Sequence, residues 1–266
     1  MRTFATYFTN SAMAYLKSLC FLSFFFLHFN SFSQTDSTAK PIQFATSTTI
    51  TNNGISVIPI FTLGKPAAII NFTIGRKLTF EPEFRFSLEG KPWSYLFWFR
   101  YKLVKTKKFS LNIGAHPSVV FKTVPVTIDG VNKDIIRAQR FLAAEMAQNY
   151  RFTPHFQMGI YYLVSPASIE NGTKPTNLLS LRGGYQNISL GKGFIGGIQS
   201  QVLYLATNGE SGTYANATLS FTHKKSPVTF SYFYNQPIQS SITGGQKGLW
   251  NVSATYLFSQ FFRPSK

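Results

Sequence analysis

Apolar and polar residues alternate along consecutive segments of about ten residues from position 42 to the end of the chain. In the clearest segment, 93–103, the odd positions are Trp, Tyr, Phe, Phe, Tyr and Leu, and the even positions include Ser94, Arg100 and Lys102. The preceding segment, 78–88, alternates in the same way. Successive residues of a β-strand point to opposite faces. The pattern therefore predicts strands with one apolar, aromatic face and one charged face.

Turn signals divide the chain into twelve predicted strands. Their approximate ranges are 42–51, 66–76, 78–88, 93–104, 109–117, 136–150, 155–165, 176–189, 194–206, 213–223, 227–235 and 249–260. Short turns alternate with longer loops near 52–65, 118–135, 166–175, 207–212 and 236–248, with a tight loop at 89–92. Asn53-Gly54 is a hairpin signal. Residues 55–62 then belong either to the first loop or to an extension of the second strand.

The apolar faces fit either the core of a soluble β-protein or the lipid side of a membrane barrel. Aromatic residues occur on nearly every such face, the predicted strands are longer than the roughly 5–6 residues usual in soluble proteins, and short and long connections alternate. These features favour an all-β fold, a transmembrane antiparallel up-and-down barrel over residues 42–262. An even number of strands would place both termini on the periplasmic side.

Composition supports this interpretation. Charged residues make up 13% of the chain and aromatic residues 17%, which is unusual for a soluble domain. No stretch after residue 34 has the roughly 20 apolar residues that a membrane helix needs.

The chain is strongly basic, with a net charge of +17. Because a secretory leader directs the chain away from nucleic acid, we expect no nucleic-acid partner. Membrane lipid phosphates or a small anionic solute are the expected partners of a basic barrel. The short turns contain Lys and Arg but no acidic residue. These basic residues are either ordinary solvent-exposed turn residues or contacts to lipid headgroups.

Residues 1–34 have the pattern of a signal peptide. Lys17 precedes a short apolar core, and Ser31-Phe32-Ser33 forms a small-x-small cleavage site before Gln34. Met13 would be a more typical start. Residues 35–41 and 263–266 are predicted to be short tails. The single cysteine, Cys20, lies in the leader, so the mature chain has no disulfide and no cysteine metal site.

The segment Trp250–Phe258 and the following Phe261-Phe262 resemble the C-terminal aromatic strand of outer-membrane β-barrels. The leader, which ends in Ser-Phe-Ser-Gln, resembles those of Bacteroidota-type exported proteins. The resemblance implies a location in the cell outer membrane and an encounter with the outer-membrane assembly machinery. The chain departs from the family pattern in its tail, 263–266, and contains no motif of a named transport family.

Motifs for nucleotide, serine-hydrolase and zinc-protease chemistry are absent from the sequence, and no pair of histidines has the spacing of a metal site. We therefore predict no cofactor, no metal and no enzymatic activity. One arrangement, His116-Pro117-Ser118, resembles the His-x-Ser pair of the outer-membrane phospholipases, which are also twelve-stranded barrels. Asn132 or Gln139 could orient the histidine. Alternation with Leu111, Ile113 and Ala115, however, predicts that His116 faces the lumen and not lipid.

A second constellation is charged and is predicted to face the lumen. It consists of Glu81, Glu83, Arg85, Arg100, Lys102, Glu145 and Arg182. A tight turn over 90–93 would set Glu83 opposite Arg100 and Glu81 opposite Lys102. The cluster is either a salt-bridge network that fills a narrow lumen or a charged constriction that selects solutes.

The expected function is passive: a narrow channel for small solutes or a structural barrel. Two alternatives remain open, a lipid hydrolase that uses His116 and Ser118, and a binding or assembly component that uses the loop near 118–135.

Overall fold

The computed structural model describes residues 42–128, 131–167 and 174–262. The leader and the two tails predicted from the sequence lie outside these residues and stay predictions. Among the described residues, no helix has the length and apolar character needed to cross a membrane.

Twelve antiparallel strands form a closed barrel, in which each strand pairs with its neighbours in the chain and β1 pairs with β12. The strands are β1 Ile42–Thr51, β2 Ala67–Gly75, β3 Leu78–Ser87, β4 Pro92–Lys105, β5 Phe109–Ile128, β6 Val131–Arg151, β7 Phe156–Ser165, β8 Thr176–Gly191, β9 Phe194–Thr207, β10 Glu210–His223, β11 Val228–Ser240 and β12 Leu249–Phe262. The prediction of a twelve-stranded antiparallel barrel is confirmed.

The outer face of the barrel is apolar and aromatic. Leu181 on β8 is 53% exposed, and Tyr204 on β9 is 50% exposed. Large apolar side chains are exposed in the same way on the other strands, for example Leu219 and Val252. A soluble protein rarely exposes so continuous an apolar surface, whereas acyl chains solvate it well. The chain is therefore a transmembrane β-barrel of the cell outer membrane.

A charge on the middle of this outer face should destabilise the barrel. Leu181 lies opposite Val202 on β9, with Tyr185 nearer the turn end of β8 and Tyr204, the partner of Leu179, nearer the other end. We expect Leu181→Arg to lower the free energy of unfolding by about 2–4 kcal/mol, because the guanidinium would lie near the bilayer midplane. Leu190→Arg, close to the turn after β8, should cost only about 0–1 kcal/mol. Urea unfolding of both variants in lipid vesicles would test this, and equal costs would contradict a membrane-spanning outer face.

The two ends of the barrel differ in their connections and in their charge. We call the end with the short turns after β2, β4, β6, β8 and β10 the turn end, and the opposite one the loop end. Exposed basic side chains surround the turn end, and we call them the basic collar: Arg76, Lys77, Lys105, Lys107, Lys108, Arg151, Lys192, Lys224 and Lys225. The described turns at this end contain no acidic residue.

Two predicted loops are replaced by strand and turn. Residues 118–128 and 131–135, predicted to be loop, continue β5 and β6 as a paired hairpin. β5 pairs with β4 only as far as Val120, and β6 pairs with β7 only as far as Ala144, so the described part of the hairpin projects beyond the barrel wall. The predicted loop at 207–212 is a tight turn in which Asn208 and Gly209 both have positive φ, as a hairpin turn of this type requires.

The pairing of β3 with β4 also differs from the prediction. Arg100 lies opposite Thr79, and Glu81 lies opposite Trp98. The predicted pairs, Glu83 with Arg100 and Glu81 with Lys102, are therefore wrong. The turn closes earlier than expected, with the Ser87 amide donating to Lys91 O at 2.9 Å. A bulge at the start of β4 then places Trp93, predicted to face lipid, in a buried position where its indole bonds Phe61 O.

Candidate functional site

Charged and polar side chains inside the barrel form a chain of contacts across one wall of the lumen, which we call the lumen network. Thr79 Oγ1 on β3 donates to Glu81, and Glu81 pairs with Arg100 on β4. Arg100 Nε also donates to Glu145 Oε1 on β6 at 2.6 Å. Tyr161 OH on β7 donates to the other oxygen of Glu145 at 2.8 Å. The network therefore satisfies both oxygens of a carboxylate that is almost completely buried.

Arg182 on β8 ends the network. Its Cζ lies 3.7 Å from the centroid of the Tyr161 ring, a cation–π contact. No ion pair joins Arg182 to a carboxylate within the part of the chain that the structure describes. Its Nε is buried without a hydrogen-bond partner among the same residues. Among the described residues of the network, Arg182 is thus the cation whose charge no carboxylate pairs.

Gly114 is the reason that Arg100 and Glu145 can meet. These residues lie on β4 and β6, and Gly114 on β5 is paired with both of them. A Cβ at Gly114 would lie 3.0 Å from Arg100 Cγ and 3.1 Å from Glu145 Oε1. The missing side chain opens the path by which the ion pair crosses an entire strand.

Filling this path should weaken the network. We expect Gly114→Val to destabilise the barrel by about 1–3 kcal/mol, because the added side chain overpacks the ion pair. The matched control is Gly183→Val, since an added Cβ at Gly183 meets no atom within 4 Å. The free energies of unfolding of the two variants in lipid vesicles provide the comparison. A Gly114→Val barrel as stable as the control would show that the crossing tolerates a side chain.

The other predicted lumen residues occupy different places. Glu83 and Arg85 pair with each other on β3, and Arg85 Cζ lies 5.0 Å from the centroid of the Trp93 ring. Lys102 Nζ donates to Arg76 O at the turn end, at 2.9 Å. Lys102 therefore has no described contact with the network, and the predicted charged residues divide into the network, the Glu83–Arg85 pair and Lys102.

The first loop folds into the loop end of the lumen, and we call residues 54–64 the plug. Gly54 N donates to Lys65 O at 2.8 Å, and Leu63 N donates back to Gly54 O at 2.9 Å, which closes the base of the segment. A short 3-10 turn over Pro59–Phe61 forms its tip. The plug belongs to the first loop, one of the two predicted alternatives, and not to an extension of β2, since β2 begins at Ala67.

Apolar side chains hold the plug in place. Ile58 and Ile60 pack against a buried cluster contributed by several strands and the last loop. The cluster consists of Leu178, Leu203, Leu205, Tyr214 and Ile242. Phe61 lies edge-on to Phe141 with ring centroids 5.1 Å apart, and its carbonyl accepts a 2.8 Å bond from Trp93 Nε1. The loop end is thus closed by a packed apolar core.

Burial along the inner face of β9 shows how far this core extends. Leu205 is 0% exposed and Leu203 is 2% exposed. Gln201 is half-buried, and Gln199, closer to the turn end, is exposed although it faces the lumen. A cavity of about 580 Å³ lies between the plug and the turn end. The barrel therefore has the form of a cup that is closed at the loop end and accessible from the turn end.

His116 and Ser118 do not form a nucleophile–base pair. Both are buried at 6% exposure on the inner face of β5, and the His116 ring contacts Trp98 with centroids 3.9 Å apart. No hydrogen bond joins the two side chains among the described contacts. His116 pairs with Ala143 on β6, whereas Gln139 pairs with Val120 and Asn132 with Thr127, further along the hairpin. Neither amide is placed to orient the histidine.

Tyr161, Gly114 and the plug were not identified as functional from the sequence. Tyr161 lies in an alternating segment with tyrosine at successive positions, and the sequence pattern alone does not show which tyrosine faces the lumen and which faces lipid. The inward position of Ile58 and Ile60 depends on partners more than 100 residues away in the chain. The pairing of β6 with β7 could have identified Tyr161. Ala147, two residues from Glu145 and on the same face of β6, is paired with Tyr161 on β7.

No protein-family model matches the chain, and no curated protein does so. Among solved structures, the chain is similar to the NanC porin, with 9% identity over 82% of this chain and 99% of that one and a TM-score of 0.45. An outer membrane channel from Pseudomonas putida F1 has 10% identity over 86% and 99%, with a TM-score of 0.43. The β domain of the Bordetella autotransporter BrkA has 13% identity over 84% and 100%, also with a TM-score of 0.43. They are described as a porin, an outer membrane channel and the β domain of an autotransporter.

Proposed function

We propose that the protein is a narrow outer-membrane channel for small polar solutes, with the plug as its closed gate. The observation that carries this proposal is the polar cavity beneath an apolar plug. A barrel with a purely structural role has no need of a water-accessible lumen lined by amides. In this proposal the role is passive and needs neither a catalytic set nor a cofactor.

The plug comes from a surface loop and is attached at both ends near one point. Gly64 N donates to Gly54 O at 3.3 Å, so the whole segment can move outward about a short base without disturbing β1 or β2. Loops plug the lumen of some membrane barrels, and outward movement of this plug would open the pore. In this proposal the turn end faces the periplasm and the loop end faces the outside. The leader resemblance supports an exported chain of Bacteroidota type.

The barrel surface also indicates its lipid partners. The apolar belt contacts acyl chains, and the basic collar lies where phosphate headgroups of the inner leaflet would be found. The assembly machinery of the outer membrane is the expected transient partner during insertion.

The test is single-channel recording of the full chain, exported and purified from membranes, in a planar bilayer under a salt gradient. We expect a largely closed barrel with brief openings at high voltage. The reversal potential should show anion preference, because the basic collar attracts anions to the lumen. Absence of any opening, both in this protein and in the plug variants described in the Discussion, would exclude a channel and leave a structural barrel.

A second candidate is a binding role for the β5–β6 hairpin. Beyond Val120 and Ala144, the described hairpin has no strand partner on either outer side, and an unpaired edge can accept a strand from another chain. Recovery of a stable partner that is lost when the hairpin is shortened to the barrel rim would favour this role. The hydrolase alternative is not supported, because the His116 and Ser118 side chains are buried in the wall of the lumen.

A further inference from the structure

The cavity beneath the plug has the size of a small-molecule site. Its volume of about 580 Å³ falls within the range of roughly 300–1,000 Å³ usual for ligand pockets. Val57 of the plug lines one side, and Gln157, the second residue of β7, lines it near the turn end. The cavity therefore occupies the accessible part of the cup.

Six residues with side-chain amides lie in its lining. They are Asn112, Asn149, Gln157, Gln199, Gln201 and Asn216. Ser180 Oγ donates to Gln201 Oε1 at 2.8 Å, which leaves the amide nitrogen of Gln201 as a donor toward the cavity. Each amide offers both donors and an acceptor. Such a lining matches a ligand with several hydroxyl groups better than an apolar ligand or a metal ion.

One cationic group in the lining is available to a ligand. Glu145 is already bonded by Arg100 and Tyr161, whereas Arg182 has no ion-pair partner in the described part of the chain. The planar guanidinium of Arg182 can donate two parallel hydrogen bonds to a carboxylate. Of the charged residues in the lining, Arg100 and Arg182 are positive and Glu145 is negative, which gives a net charge of +1. A site of this balance accommodates a single negative charge more readily than two.

The route into the cup also favours an anion. The lumen is accessible from the turn end, which is the end that carries the basic collar. Cations of one sign around an opening raise the local concentration of anions and speed their entry. Charge at the opening and charge in the cavity therefore select the same class of solute.

We propose that the cup binds a small hydroxyl-bearing monocarboxylate, with the carboxylate on Arg182 and the hydroxyl groups on the surrounding amides. This inference deepens the proposed channel function by naming the solute class of its lumen. It assigns to Arg182 the role of the specificity-determining residue.

Equilibrium binding to the full chain in lipid nanodiscs tests the proposal, with glucuronate as the probe and glucose as its neutral counterpart. Isothermal titration calorimetry should show saturable binding of glucuronate and at least about tenfold weaker binding of glucose. We expect Arg182→Gln to weaken glucuronate binding by about tenfold or more, the effect of losing one charge-assisted pair, and to leave glucose binding nearly unchanged. Arg137→Gln, the same change on the projecting hairpin, should alter neither.

Equal affinity for the two sugars, no binding of glucuronate, or an Arg182→Gln variant with undiminished glucuronate affinity would each overturn the proposal. Heat-modifiable migration on SDS gels confirms that each variant is folded before titration. Binding without any conductance would instead retain the site and reject the channel. Conductance without glucuronate binding would retain the channel and reject the site.

Discussion

Replacing Glu145 by alanine should destabilise the barrel by about 3–5 kcal/mol, the usual cost of removing one partner from a buried charged pair. The Glu145 side chain is only 3% exposed and accepts hydrogen bonds from Arg100 and Tyr161. Without it, Arg100 retains Glu81 alone, and the Tyr161 hydroxyl loses its acceptor inside the wall.

The measurement is urea unfolding of the refolded barrel in lipid vesicles, followed by tryptophan fluorescence. The matched control is Glu89→Ala, which removes an ion pair with Lys65 whose side chains are 55% and 57% exposed. Exposed pairs of this kind contribute less than about 1 kcal/mol. Glu145→Gln should fall between the two, since the amide oxygen still accepts from Tyr161. If Glu145→Ala costs no more than Glu89→Ala, the lumen network does not stabilise the fold.

Removing the plug should convert a mostly closed barrel into a steadily conducting one. We suggest excising residues 55–63 and joining Gly54 to Gly64 through two glycines, a short distance because Gly64 N and Gly54 O are 3.3 Å apart. The excision removes Ile58 and Ile60 from their cluster and opens the loop end above the cavity. Conductance should be anion-selective, because Arg182 and the basic collar remain.

Two point variants distinguish loss of the packing that holds the gate closed from a general disturbance of the loop. Ile60→Asn places an amide against the buried apolar cluster and should increase the frequency of openings many-fold. Val57→Asn makes the same kind of change at a side chain that is 50% exposed, and should leave the openings unchanged. Equal effects of the two variants would show that the cluster does not hold the gate. A silent excision variant that remains folded would show that the lumen is blocked elsewhere.

The strand pattern was predictable from the sequence because each membrane-spanning segment repeats the same physical alternation. Residues 78–103 show this most clearly, since one face must meet lipid and the other must remain polar. The projecting hairpin was predicted to be a loop, whereas the structure accommodates both Pro117 and Pro125 within β5. Proline in a strand is tolerated where its missing amide donor is not needed.

The lumen was less predictable, because its contacts depend on exact register and on distant pairs. Arg100 and Glu145 are 45 residues apart, and nothing local to either residue indicates the other. The register of β3 and β4 was misjudged because Gly90 was placed at the start of the turn and not inside it. Ile58 and Ile60 alternate as strand residues do, so their pattern alone could not show that they enter the lumen.

The crossing of Gly114 by the Arg100–Glu145 pair has a consequence for how the barrel assembles. A slip of one residue between adjacent strands moves every side chain of a strand to the opposite face. A slip at β4, β6 or β8 would turn Arg100, Glu145 or Arg182 toward the acyl chains and move the gap at Gly114 away from the pair. A misregistered barrel would therefore bear buried charges that water and lipid both fail to solvate. We therefore expect one-residue slips of these strands to be disfavoured during insertion, because they would leave the charges of the lumen network on the outer face.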